Sequence, residues 1–83
     1  MTPTEFQTRL TRTLYYVDSL LCAPQTSRLF EIGRTFALMA DNHRIRYITG
    51  LVKDNHPGTC EYEIGQDLKV LLTGRPHNKI GVA

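Results

Sequence analysis

The chain has no tryptophan, only two cysteines, and no apolar run longer than a few residues. Each shortage excludes something. A membrane-spanning helix needs roughly 20 consecutive apolar residues, and none are available. The opening MTPTEFQTRL holds no apolar stretch of the kind a secretory leader requires, so no leader is expected. Cys22 and Cys60 cannot build a disulfide framework, and free thiols in a cytoplasmic setting are the expectation. His43, His56 and His77 stand far apart, with no Cys-x-x-Cys or His-x-x-x-His pair, so neither a metal nor a cofactor is expected. Acids at positions 61 and 63 follow Cys60 and disfavour its thiolate, and no histidine is placed beside Cys22 by local spacing. There is no Gly-Lys-Ser/Thr phosphate loop. Catalysis is therefore not expected.

What is present suits one small domain covering 1–83. The 83 residues leave no room for a second core, and 41% hydrophobic with 22% charged residues places the chain among folded domains, not disordered ones. The net charge of +2 is mild, but its distribution is uneven. Arg9, Arg12, Arg28 and Arg34 balance Glu5, Asp18, Glu31 and Asp41 over the first half. Residues 69–83 hold Lys69, Arg75 and Lys79 with no acid. A basic end on a neutral body is either a simply solvated tail or an anion-binding face.

Thr2-Pro3-Thr4-Glu5 has the order of a helix start: Thr at the N-cap, Pro in the first turn, and Glu where a capping box needs it. Phe6, Leu10, Leu14, Val17 and Leu21 follow at helical spacing, and Pro24 ends the segment. This stripe fits either the domain's own core or a dimer seam. Within residues 1–22 we assign Leu10, Leu14, Val17 and Leu21 to a homodimer interface. Thr26 or Ser27 caps a second helix, Arg28 to Ala40, whose Leu29, Ile32, Phe36 and Met39 line one side. Asp41 or Asn42 caps a third, His43 to about Lys53, with Ile45, Ile48, Leu51 and Val52 inward and Arg44 and Arg46 falling away. Residues 54–58 form the clearest turn.

Residues 59–83 are ambiguous. Cys60 to Ile64 alternate as a half-buried strand does, yet Ile64, Leu68 and Leu71 also fit a helix capped by Thr59. The end reads as a short helix from about Arg75 or as a hairpin turning at 76–78. The favoured fold is mostly α, a small domain of helix-turn-helix type. The alternative is α+β, with helices packed on a C-terminal β-meander.

Arg75, His77, Asn78 and Lys79 place base-reading and phosphate-gripping side chains within five residues. Leu29-Phe30-Glu31 through Leu38-Met39-Ala40-Asp41-Asn42-His43-Arg44-Ile45-Arg46-Tyr47-Ile48, and then Glu63-Ile64-Gly65-Gln66-Asp67-Leu68, resemble ArsR-type winged helix-turn-helix repressors over about 27–83. Asn42 stands where that family has Pro, Tyr62 replaces the second Cys of its metal-sensing pair, and Lys69 to Leu72 lengthen the turn. The chain stops at Ala83, where the family continues into its wing. The resemblance implies a winged-helix DNA-binding regulator with its helix-turn-helix in 59–83. The expectation is a transcription regulator that binds double-stranded DNA through Arg75, His77, Asn78 and Lys79, with Arg44, Arg46 and Lys69 on phosphates. The alternative is a small non-enzymatic module docking on a larger protein partner.

Overall fold

The computed structural model describes residues 2–75, which form four helices: α1 (Pro3–Leu21), α2 (Arg28–Leu38), α3 (Asp41–Lys53) and α4 (Cys60–Thr73). There is no strand among the described residues, so the β-meander alternative is not supported. The ambiguity after Thr59 resolves toward helix for a local reason. Thr59 Oγ1 accepts from the Tyr62 amide, Glu61 and Glu63 occupy the first turn, and Ile64, Leu68 and Leu72 then fall on one buried side. Lys69 to Leu72, expected as part of a long turn, lie inside this helix. The expected last helix from about Arg75 falls on residues 76–83, outside the described ones.

The predicted caps hold in outline. Thr2 Oγ1 accepts from the Glu5 amide at 3.1 Å, and Ser27 Oγ does the same for Phe30. The Glu5 carboxylate lies 3.7 Å from Arg9 instead of completing the capping box. Helix α2 stops at Leu38, two residues early, and Asp41 is the first residue of α3, not its cap. Met39 and Ala40 alone connect the two helices.

Helix α4 packs on α1, α2 and α3, and α1 also packs on α2. Arg9 meets Gly74 while Tyr16 meets Asp67, so α1 and α4 run antiparallel. The core gathers Leu10, Val17, Leu20, Ile32, Phe36, Ile48, Leu51, Ile64, Leu68 and Leu72. This corrects the dimer assignment. Leu10 and Val17 retain 7% and 1% exposure, and Leu14 and Leu21 pack against the same cluster. One chain's own helices cover the stripe, because α2 and α4 both need an apolar partner. Ile45, expected inward, is exposed.

Two glycines set how closely the helices approach. A β-carbon at Gly65 would lie 2.9 Å from that of Leu51, and one at Gly33 would lie 2.9 Å from that of Leu20. Real β-carbons do not come so near. Gly65→Val is therefore expected to destabilise the domain by at least about 2 kcal/mol through overpacking of α3 on α4. Denaturant unfolding followed by circular dichroism measures it, and an unchanged midpoint would contradict the contact.

Candidate nucleic-acid interface

The structure sorts the cations into those that bind the protein to itself and those that do not. Arg44 belongs to the first group, which corrects its assignment to DNA phosphates. Its residue is 7% exposed, its Nε donates to the Phe36 carbonyl at 3.0 Å, and its Nη2 donates to the Ala37 carbonyl at 3.0 Å. Its Nη1 reaches Asp41 at 2.6 Å, and its guanidinium lies 5.3 Å from the Phe36 ring centre. The side chain thus bonds two carbonyls of the last turn of α2, of which Phe36 also accepts from the Met39 amide. The sequence carried the signal. Position 44 precedes Ile48 by four residues and so shares its inward face.

Arg28 is likewise engaged, with Glu31 at 2.6 Å and Glu61 at 3.1 Å. The hydrogen bond to Glu31 is the main cause that raises its pKa. Arg9 lies near Glu5, and its guanidinium covers the left-handed Gly74 that caps α4. A cation at that helix end also complements the helix dipole.

Arg12, Arg34, Arg46, Lys53, Lys69 and Arg75 carry no ion pair among the described residues. All are exposed except Lys69, which is half-buried. Arg75 directly follows the cap Gly74, and its amide donates to Thr73 Oγ1. His77, Asn78 and Lys79 lie outside the described residues, so the structure does not bring the expected cluster together. The outer side of α3 carries Asn42, His43, Arg46, Thr49, Gly50 and Lys53 at spacings of three and four. The sequence reading took Arg46 from this set and missed the others. Their shared face follows from the same period that places Ile48 and Leu51 inward.

Open grooves mark the surface of the described residues. One of about 330 Å³ runs beside α3, between Arg28, Arg46, Tyr47, Gly50, Asp54 and Asn55. A second, about 400 Å³, follows the outer side of α2 past Phe30, Arg34 and Leu38. Another, about 340 Å³, lies on α1 between Thr8, Thr11, Arg12 and Tyr15. Among the described residues no three His, Cys, Asp or Glu side chains gather as metal ligands, and no helix is long and apolar enough to cross a membrane. Burial raises the pKa of the Cys60 thiol, and that of Tyr47 as well.

Comparison with protein-family models, with curated proteins and with solved structures finds no match. The resemblance to ArsR-type repressors therefore stands on the residues quoted for it.

One side chain gives this region a pH signature. Burial first, and then the hydrogen bond to Asp67 at 2.9 Å, push the Tyr16 phenol up to about 12 from the usual 10.0. A raised pKa adds stability below pH ~10 that is lost as pH climbs through the folded value. An ultraviolet titration is expected to show a late tyrosine step near pH 12 that Tyr16→Phe removes. A titration curve whose upper end is unchanged by the substitution would refute the assignment, since the raised Tyr47 titrates alike in both proteins.

Proposed function

We propose that this chain is a non-catalytic, duplex-DNA-binding domain of helix-turn-helix type that acts in transcription regulation. The observation that carries this reading is the set of unpaired, solvent-facing cations. Arg46, Lys53 and Arg75 on the α3–α4 half, and Arg12 and Arg34 on α1 and α2, face solvent without acid partners among the described residues, while Arg9, Arg28 and Arg44 have partners within the chain. A fold that neutralises some cations and leaves others free has charge to offer to a polyanion. Phosphates that replace their counterions with such side chains supply most of the sequence-independent affinity. Arg46, Lys69 and Arg75, together with His77, Asn78 and Lys79 of the basic end, are the DNA-contacting set in this reading. Arg44 leaves it, because all its donor groups face carbonyls and a carboxylate of its own chain.

In this reading the helix-turn-helix description moves from 59–83 to α2–α3, since α4 runs unbroken to Thr73, although the Met39–Ala40 link is shorter than the usual turn of roughly 3–4 residues. Docking on a larger protein is the second reading. It is favoured by Leu38 and Tyr15, which keep 75% and 74% exposure beside the grooves on α2 and α1.

Fluorescence anisotropy with a labelled duplex at two salt concentrations tests the proposal. Binding is expected to weaken steeply with salt. Arg75→Ala and Lys79→Ala are each expected to lower the slope of log K against log salt by about 0.9, one phosphate contact apiece. Arg44→Ala is expected to cost roughly 2 kcal/mol of stability, from the buried hydrogen bonds lost at the Phe36 and Ala37 carbonyls, and to leave the slope unchanged. Absence of duplex binding by the parent, or slopes that ignore both Arg75→Ala and Lys79→Ala, would overturn this assignment.

A further inference from the structure

Among the described residues, Leu38 on the outer side of α2 is the large apolar side chain most open to water, with 75% exposure. Tyr15 on α1 is nearly as open, but its hydroxyl can bond water. Leu38 has no polar side-chain atom, and its exposure forgoes the gain of burial. It stands at one end of the groove of about 400 Å³ that follows α2. Gln25, Thr26 and Phe30 line the opposite end, beside the N-cap Ser27. Glu31 and Arg34 lie between the two ends.

Both charges have capacity to spare. Arg34 is exposed and makes no ion pair among the described residues. Glu31 accepts from Arg28 through Oε1 at 2.6 Å, and its Oε2 has no hydrogen bond among the described residues. Glu31 and Arg34 are three positions apart on one helix, yet they do not pair with each other. From its C-terminal to its N-terminal end, the groove thus presents an apolar knob, a base, an acid and a recess. Turned end over end, the same surface reads recess, acid, base, knob. A face complementary to its own reversed copy is what a twofold interface requires, because each contact is then made twice. An unrelated protein would have to supply that order, whereas a second copy already has it.

We propose that the outer side of α2 docks, antiparallel, on the same helix of a second copy of this chain. With the twofold axis passing α2 between Ile32 and Gly33, Glu31 lies level with the partner's Arg34, and Ser27 lies level with the partner's Leu38. At the roughly 8–10 Å spacing of packed helices, each guanidinium reaches a carboxylate across the axis, and each Leu38 enters the recess at the other copy's N-terminal end of α2. The homodimer seam expected on α1 thereby moves to α2, since the Leu10 and Val17 stripe is spent on the core. A helix of 11 residues gives a seam only about 16 Å long, too short to bury the ~1,200 Å² at which stable interfaces begin. The dimer is accordingly weak, with a dissociation constant on the order of 100 μM. This pairing is independent of DNA binding, and no nucleic acid enters the test.

Sedimentation of the full chain over a range of concentrations provides that test. The parent is expected to run mostly as a monomer at ~10 μM and mostly as a dimer at ~1 mM. Leu38→Ser leaves the recess empty, and Arg34→Glu sets like charges opposite each other. Each is expected to weaken self-association about tenfold or more, while circular dichroism of the dilute protein keeps the parent's helix content. Glu31→Arg combined with Arg34→Glu reverses both charges, and is expected to return association to within about threefold of the parent. Tyr15→Ser is expected to change nothing. A parent that stays monomeric at ~1 mM overturns the pairing and leaves Leu38 to a different protein. Self-association that survives either Leu38→Ser or Arg34→Glu, or that Tyr15→Ser abolishes, overturns it because the seam then lies elsewhere. A charge-swapped double variant that associates no better than Arg34→Glu alone overturns it as well.

Discussion

Burial of one side of α4 holds this molecule together. Ile64, Leu68 and Leu72 retain almost no exposure, and the other three helices all pack on that helix. Each such side chain contributes roughly 1.5–3 kcal/mol by leaving water. Gly65 lets α3 come in tightly, Tyr16 and Asp67 join α1 to α4 at the surface, and Arg28 bridges α2 to Glu61 in its first turn. Helices of 11 to 19 residues are marginal alone in water, so α1, α2 and α3 depend on this shared partner.

The sequence disclosed the elements where two local signals agreed. Thr2-Pro3 with the Phe6-to-Leu21 stripe defined α1, and Ser27 with Ile32 and Phe36 defined α2. Past Thr59 the apolar spacing suited a strand and a helix equally, because Gly65 interrupts both patterns. What settles that segment is tertiary, a side that α1, α2 and α3 all require. The same limit explains the misplaced dimer seam. A heptad-like stripe shows that a helix needs a partner, but not whether the partner lies in the same chain. Sorting the arginines failed for a related reason. Charge suggested that Arg44 faces water, while its position four residues before Ile48 put it inside. Its guanidinium is tolerable there because carbonyls and a carboxylate receive its donors.

Glycine and arginine thus carry opposite lessons in this domain. Gly33 and Gly65 answer to neighbouring helices, and Gly50 does not. Arg9, Arg28 and Arg44 answer to partners in the chain, and Arg46 and Arg75 do not. The exceptions of both kinds stand out once the internal contacts have been assigned. Neither class is separable by composition alone, since the two kinds of arginine differ only in where the fold places them.

The α1–α4 pairing has a kinetic consequence. Tyr16 and Asp67 are 51 residues apart in the chain, whereas α2, α3 and α4 follow one another through short connections. Closing so long a loop is the slow entropic step, and local neighbours assemble sooner. The α1–α4 contact is then the last to close, after α1 has met its sequence neighbour α2. A nascent or stretched chain lacking it presents the uncovered flank of α4 to solvent, which is where self-association during folding would begin.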